Sequence, residues 1–240
     1  MKRIGLCGLT LLVSACSGTG QPEFSYSAFA TPIVRSDIDV GEWRLTLEQA
    51  TVAFGPAYFC ASATGESTLC GAAIAEILQV SVVDALDTTP QPLGDVHGFQ
   101  GTIRSASYDH GIHWFLTESE PSADHAAPGG HSAVFVGEAR RGAQSMKFEA
   151  YVDVRAAFAG QRAVTRILPP TRIEHDDVRL DVEFDVGAWL ANVDFDKPAT
   201  AGADRLVVEP GSADHSAIVH ALANTAPPKL EWSGSGLGTP

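Results

Sequence analysis

Hydrophobic and polar residues alternate in three clear runs along the chain, and each run predicts a β-strand. In the first run, Trp43, Leu45 and Leu47 alternate with polar side chains, and the same period of two returns at 146–154 and 178–186. Successive side chains of a strand point to opposite faces of a sheet, so this alternation buries one face and leaves the other in water. The three runs therefore predict antiparallel strands with one solvated face.

Shorter runs between these three predict further strands, and turns that carry Gly and Pro separate them. The shorter candidates cover residues 99–108, 113–117, 132–138, 166–173, 205–208 and 229–232. Many short strands of this kind favour a sandwich or a barrel.

The segment 72–86 carries two conflicting patterns. Apolar residues at helical spacing favour a helix, whereas the β-branched Val80, Val82 and Val83 favour a strand, and we interpret the segment as a strand. Elsewhere, two short helices are expected, one capped by Ser212 and one within 187–193.

Long helices do not alternate with the predicted strands, which disfavours a parallel α/β scaffold. The predicted fold is mainly β, an antiparallel β-sandwich or barrel-like domain with one or two short helices. Residues 42–240 are expected to form this single domain. Residues 16–41 are rich in Ser, Thr, Gly, Pro and Asp, and are expected to form a tether that leads into it.

Residues 1–15 have the three parts of a secretory signal peptide. Lys2 and Arg3 are basic, residues 4–13 are mostly apolar, and the residues that follow are small. The apolar run is about half the roughly 20 residues that a membrane-spanning helix needs. We therefore expect the leader to be cleaved.

Residues 13–16, Val-Ser-Ala-Cys, resemble the lipobox of bacterial lipoproteins. The resemblance implies that Cys16 is acylated and becomes the new N-terminus of an exported protein. Several acyl chains would hold such a protein durably on a membrane, in the periplasm or at the outer membrane or cell surface. An ordinary signal peptide that contains a cysteine is the alternative.

The mature chain is strongly acidic. The leader holds two of the 16 basic residues and no acidic one, so its removal leaves 14 basic against 29 acidic residues and a formal charge of −15. Nucleic acid and anionic lipid would be repelled by this charge. Acidity also keeps a protein soluble, and we infer no cationic partner from it.

The remaining cysteines form a natural pair. Cys7 leaves with the signal and Cys16 is assigned to the lipid, so Cys60 and Cys70 are left in an exported chain. Closing a loop of about ten residues adds on the order of 2–3 kcal/mol in the chain-entropy model. A redox pair is disfavoured because the two are not in C-x-x-C spacing. The sequence therefore predicts a structural Cys60–Cys70 disulfide.

Histidine crowding between residues 97 and 131 is the main chemical anomaly, since five of the eight histidines lie there. Imidazoles and a neighbouring acid are the donors that Cu or Zn sites use, with the acid as a ligand or as the group that orients an imidazole. His110 and His113 would face opposite sides of a strand, so they share a metal only if Gly111 lies in a turn. Exposed loop histidines are the competing interpretation, because no H-E-x-x-H motif is present. The candidate ligands are His97, Asp109, His110, His113, His125 and His131.

A hydrolase is the least favoured class. Ser132 lies in a Gly-rich stretch that invites comparison with the G-x-S-x-G nucleophile elbow, but Val134 occupies the last glycine position and a strand is predicted where the elbow requires a helix. No catalytic residue is therefore assigned.

The leading functional hypothesis is a lipid-anchored, exported, non-enzymatic β-sandwich module that binds a protein or small ligand at the bacterial cell envelope. A Cu- or Zn-binding lipoprotein is the alternative, and a hydrolase the second alternative. Convergence of three of the candidate ligands would distinguish the metal-binding protein, and a nucleophile beside a base in a cleft would distinguish the enzyme.

Overall fold

A computed structural model describes residues 22–33, 35, 37–64, 73–113, 122–123, 127–154, 162–164 and 170–239. Strands account for most of the ordered elements in these ranges. In chain order they are β1 (Glu23–Pro32), β2 (Ile38–Val40), β3 (Trp43–Phe54), β4 (Ala57–Cys60), β5 (Ala73–Ile77), β6 (Ser81–Asp84), β7 (Gln91–Phe99), β8 (Gly101–Ile103), β9 (Ser105–Tyr108), β10 (Ile112–His113), β11 (Ser122–Ala123), β12 (Ala133–Arg141), β13 (Gln144–Val152), β14 (Arg162–Val164), β15 (Thr171–Ile173), β16 (Arg179–Phe184), β17 (Arg205–Val208), β18 (Lys229–Ser233) and β19 (Leu237–Gly238).

Short helices occupy parts of the last third of the chain. They are α1 (Val186–Leu190), α2 (Asp196–Thr200) and α3 (Ala213–His220), and a π-helical turn at Ala221–Thr225 continues α3. A 3-10 turn at Pro128–Gly130 precedes β12.

Two large sheets build the domain. One has eight strands in the order β14-β9-β4-β5-β7-β1-β16-β18, and the other has the order β17-β13-β12-β3-β2, with β6 also paired to β3. Most neighbours are antiparallel, but β1 pairs with β16 and β13 with β17 in parallel. The smaller sheets are β19-β15-β8 and β10-β11. The predicted fold class, mainly β and sandwich-like or barrel-like, is confirmed.

Aromatic side chains from both large sheets meet in the core. The ring of Phe54, on β3, lies 5.2 Å from that of Phe184, on β16 of the other sheet. Trp189 of α1 contacts both Phe184 and Phe135 of β12, so this short helix fills space between strands of the two sheets. All four rings are 2% exposed or less, and large buried aromatics contribute heavily to the stability of a core.

The strongly alternating runs are confirmed as β3, β13 and β16, and the shorter runs at 132–138, 205–208 and 229–232 as β12, β17 and β18. The run 99–108 contains two strands, β8 and β9, and the segment 72–86 contains β5 and β6 on either side of a break. The helix capped by Ser212 is α3, and α1 begins one residue before the predicted 187–193. Parts of 113–117 and 166–173 lie outside the described residues.

The predicted tether over 16–41 is wrong from Glu23 onward. Strand β1 lies between β7 and β16 within the larger sheet, and its Tyr26, Ala28 and Ala30 are buried at every second position. Small alanines and interleaved serines give little hydrophobic contrast along the sequence. The segment becomes a strand because neighbouring strands pair with it and bury one of its faces. Residues 16–21 lie outside the described part of the chain.

In the described ranges, none of the helices combines the length and apolar character needed to cross a bilayer.

Candidate functional site

His110 lies inside the core, next to the junction of β3 and β4. Its Nδ1–H donates to the carbonyl oxygen of Ala53 at 2.9 Å, and its side chain is fully buried. A parallel bridge between His110 and Gly55 fixes the backbone there. Gly111, the next residue, has φ of 77° and lies in a bend of the backbone, a conformation that glycine adopts without strain.

Aromatic rings surround the His110 imidazole. Phe54, Tyr108 and Trp189 present ring centroids 6.2, 5.6 and 6.3 Å away, all in edge-on arrangements. Burial lowers the pKa of His110 to about 4, and the hydrogen bond to Ala53 offsets part of that effect. Among the described residues Nε2 has no hydrogen-bond partner. His110 is therefore a neutral group of the core at physiological pH.

The structure describes only some of the other residues near His110 that were predicted as metal ligands. Asp109 is 3% exposed, and its backbone pairs with Gly55 and Pro56 at 2.8 and 2.9 Å. The backbone of His113 pairs with Ser122 across β10 and β11. The side chain of His113, and the whole of His125, lie outside the described residues.

His97 lies apart from the core, exposed on β7. It pairs in register with Ser25 of β1 and Glu76 of β5, and with Glu76 it lines a surface groove of about 290 Å³. His97 faces solvent and His110 is enclosed in the core, so the two histidines do not share a site. Over the described ranges, no three His, Cys, Asp or Glu side chains are arranged to hold a metal ion.

His131 forms the most distinctive polar arrangement of the described surface. Its Nδ1–H donates to Oδ1 of Asp153 at 2.8 Å, and the two side chains are 24% and 32% exposed. The backbone N–H of Asp153 donates to Nε2 of the buried His215 at 3.0 Å. The Tyr151 ring lies 5.1 Å from the His131 ring. We call His131, Tyr151, Asp153 and His215 the His131 cluster.

Local structure explains how each member of the His131 cluster is positioned. Gly129 has φ of 73° and passes so close to the imidazole that an added Cβ would lie 3.1 Å from Cδ2 of His131. Asp153 follows the last residue of β13 directly. His215 sits in the first turn of α3, where its N–H donates to the capping Oγ of Ser212 at 3.1 Å.

The chemistry of the His131 cluster follows from these bonds. A carboxylate can only accept, so Nδ1 of His131 carries a hydrogen, and in the neutral imidazole Nε2 is then the acceptor. A carboxylate that orients an imidazole in this way is the arrangement seen behind metal-binding and proton-transferring histidines. Sequence reasoning identified His131 but missed Asp153 and His215, which lie 22 and 84 residues further along the chain.

Ser132 is not available as a nucleophile beside His131. It is completely buried, and its Oγ accepts a hydrogen bond from the N–H of Val154 at 3.2 Å. The residues after it form strand β12, whereas the nucleophile elbow requires a helix. The comparison with a serine hydrolase therefore finds no support at this position.

Cys60 is the last residue of β4 and is fully buried. Cys70 lies outside the described residues, so the Cys60–Cys70 disulfide stays a prediction. The same holds for acylation of Cys16.

Comparisons of the chain with protein-family models, with curated proteins and with solved structures gave no match.

Proposed function

We propose that the protein is an exported bacterial lipoprotein, held on a membrane through acylated Cys16, whose β-sandwich domain is a non-enzymatic binding module of the cell envelope. The proposal is supported by the leader, with its basic, apolar and small parts ending at a cysteine.

The leader is the observation that carries the proposal, and the point at which the chain enters the fold adds where the anchor would hold the domain. Glu23, only seven residues after Cys16, already pairs with Phe99, and the N–H of Gln100 donates to the carbonyl oxygen of Pro22 at 3.2 Å. A domain whose first strand is built into its larger sheet so soon after the cysteine would be held close to the lipid surface. Export to the envelope also fits the acidity of the mature chain, which is unsuited to nucleic acid.

The His131 cluster is the part of the described surface best suited to bind a partner or small ligand. It fixes a partly exposed imidazole beside an aromatic ring, and a pre-positioned polar group loses little conformational entropy on binding. The proposed module would therefore recognise its ligand through His131 and Tyr151.

The anchor is tested by paired substitutions in the leader. With Cys16→Ser we expect loss of the acylated mass by intact mass spectrometry and transfer of the protein from the membrane to the soluble fraction. Cys7→Ser is the matched control, because that residue is removed with the signal, and we expect it to behave as the wild type. A Cys16→Ser protein that is processed normally and remains equally membrane-bound would refute the anchor.

A Cu- or Zn-binding lipoprotein is the second candidate, and the His131–Asp153 hydrogen bond favours it. The carboxylate of Asp153 would hold the imidazole with Nε2 directed to a metal. The other ligands would come from His113 and His125, which the sequence places in the same segment.

Calorimetry with Zn²⁺ or Cu²⁺ tests this second candidate. We expect His131→Ala to abolish stoichiometric binding and Asp153→Asn to weaken it roughly 10- to 100-fold. Binding should also weaken in acid, because protonation removes the lone pair with which a histidine binds a metal. His175→Ala, at an exposed histidine outside the predicted set, is the control. Binding that survives His131→Ala would place the site elsewhere, and a wild type that binds no metal at micromolar concentration would reject the candidate.

A further inference from the structure

The corner of the domain where β1 begins carries an exposed aromatic side chain beside a surface groove. Phe99 is one of the three most exposed large hydrophobic residues of the described ranges, at 39%, and it pairs in register with Glu23. Phe24 and Ile74 are partly buried and line the same groove of about 290 Å³. By strand register Ile74 and Phe99 share the outer face of the sheet with Glu23 and Glu76, whereas Phe24 is on the core side, and we call Ile74 and Phe99 the entry patch.

The groove that the entry patch lines is supported by the core. The Phe24 ring stacks on that of buried Tyr26 at 5.6 Å, and the hydroxyl of Tyr26 accepts a hydrogen bond from Nε1 of Trp232 at 3.0 Å. Ile74 packs onto the Gly101 backbone, where an added Cβ would lie 3.0 Å from its Cδ1. These contacts therefore hold Phe24 and Ile74 in place along the groove.

Chain length places the entry patch near lipid if Cys16 is acylated. Six residue steps separate Cys16 from Pro22, and a fully extended chain covers at most about 3.6 Å per step, or roughly 20 Å. The domain therefore cannot lift this corner further than that from the anchored cysteine. Tethering holds the patch at a high effective concentration beside the bilayer.

The charges around the groove select the kind of lipid. Its acidic lining residues are Glu23 and Glu76, and its lining contains no Lys or Arg. Anionic headgroups would be repelled, whereas the cationic end of a zwitterionic headgroup complements a carboxylate. Aromatic side chains are favoured at the boundary between headgroups and acyl chains.

We propose that the entry patch docks on a zwitterionic bilayer surface, with Phe99 in the interfacial layer and Glu23 and Glu76 facing the cationic ends of the headgroups. The docking fixes which end of the sandwich faces the membrane. It rests on the proposed lipid anchor and adds a specific contact to it.

A matched pair of single-site labels tests the docking on the full lipidated protein. Phe99→Cys reports on the entry patch, and Val82→Cys is the control, because Val82 is a similarly exposed apolar residue, at 48%. Val82 belongs to β6, whose Asp84 bonds to the side chain of Gln91. Gln91 lies at the opposite end of β7 from Phe99, about 26 Å away along the strand.

Each variant is labelled with an environment-sensitive fluorophore and reconstituted into phosphatidylethanolamine and phosphatidylcholine vesicles that contain a headgroup-proximal quencher lipid. We expect at least threefold stronger quenching at position 99 than at position 82, together with a blue-shifted emission. The wild type, whose Cys60 is buried, gives the labelling background. Replacing half of the neutral lipid with phosphatidylglycerol should reduce quenching at position 99.

The outcomes separate the docking from the anchor. Co-flotation of the protein with vesicles tests the anchor alone, and its absence would overturn the lipoprotein proposal. Co-flotation with equal quenching at the two positions, or a shielded position 99 that lipid does not quench, would overturn the docking while leaving the anchor intact. Quenching that does not fall with phosphatidylglycerol would overturn the assigned role of the carboxylates. Thermal unfolding of both variants verifies that the labelled proteins are folded.

Discussion

The imidazole of His110 donates its Nδ1 hydrogen to the carbonyl oxygen of Ala53, deep between the two large sheets. This contact satisfies a buried backbone carbonyl at the end of β3, and it also commits the ring to one tautomer. With aromatic rings on its other sides, His110 contributes to packing in the core.

Acid should weaken the fold through His110. Burial lowers the folded-state pKa to about 4, against 6.5 for the free side chain, so the unfolded chain binds more protons between these values. The contribution of His110 is fully present above pH 6.5 and is lost as the pH falls towards 4. A pKa difference of this size between the folded and unfolded states corresponds to about 3 kcal/mol in the free energy of unfolding. Urea unfolding of the Cys16→Ser protein at pH 7, 5.5 and 4.5 measures it.

His110→Phe isolates that contribution from the titration of other groups. The variant should unfold about 1–3 kcal/mol more easily at pH 7, because the Ala53 carbonyl loses its donor. As the pH falls below 6.5, the free energy of unfolding of this variant should decrease less steeply than that of the wild type. The exposed His97→Gln is the control and should keep the wild-type slope. Identical slopes for wild type and His110→Phe would show that His110 titrates normally.

The hydrogen bond from His131 to Asp153 should be visible in the ring nitrogens. In the neutral form of His131, nitrogen-15 chemical shifts should show the hydrogen on Nδ1 and a bare Nε2. Asp153→Ala should convert this signal to a mixture of tautomers, since the carboxylate that selects Nδ1–H is gone. The His110 signal should not move, because its partner is Ala53. A wild-type His131 with hydrogen on Nε2 would contradict the pairing.

Sequence alone could predict the fold class because strands such as β13 and β16 alternate strongly between large apolar and charged residues. It could not predict β1, whose inward positions include Ala28 and Ala30, because small residues carry little hydrophobic signal. This segment forms a strand because it pairs with β7 and β16 in the folded protein.

The candidate site was predictable only as a crowded histidine segment. Spacing along the chain placed His110 beside His113, but it could not show that His110 enters the core while His131 stays at the surface. Nor could it join His131 to Asp153, because that pairing depends on where strands β12 and β13 begin and end. The sequence indicated that Ser212 caps a helix, but it did not indicate that this cap positions His215.

The Cys60–Cys70 disulfide should be detectable by mass after alkylation. In the oxidised, unfolded protein we expect neither cysteine to react until a reductant is added, after which both should. Cys70→Ser should lower the free energy of unfolding by on the order of 2–3 kcal/mol under oxidising conditions, because the loop is no longer closed. Adding a reductant to the wild type should reproduce that loss. Free labelling of both cysteines without reductant would refute the bridge.

His215 should stabilise the fold through the hydrogen bond that it accepts from the Asp153 backbone. His215→Ala would leave that N–H without this acceptor, and we expect a loss of about 1–3 kcal/mol in the free energy of unfolding. His220→Ala is a matched control because it truncates an exposed histidine of the same helix, and it should cost less than about 0.5 kcal/mol. Ser212→Ala should cost about 1 kcal/mol by removing the cap of α3. Urea unfolding at pH 7 measures all three, and equal losses for His215→Ala and His220→Ala would show that the hydrogen bond to Asp153 does not stabilise the domain.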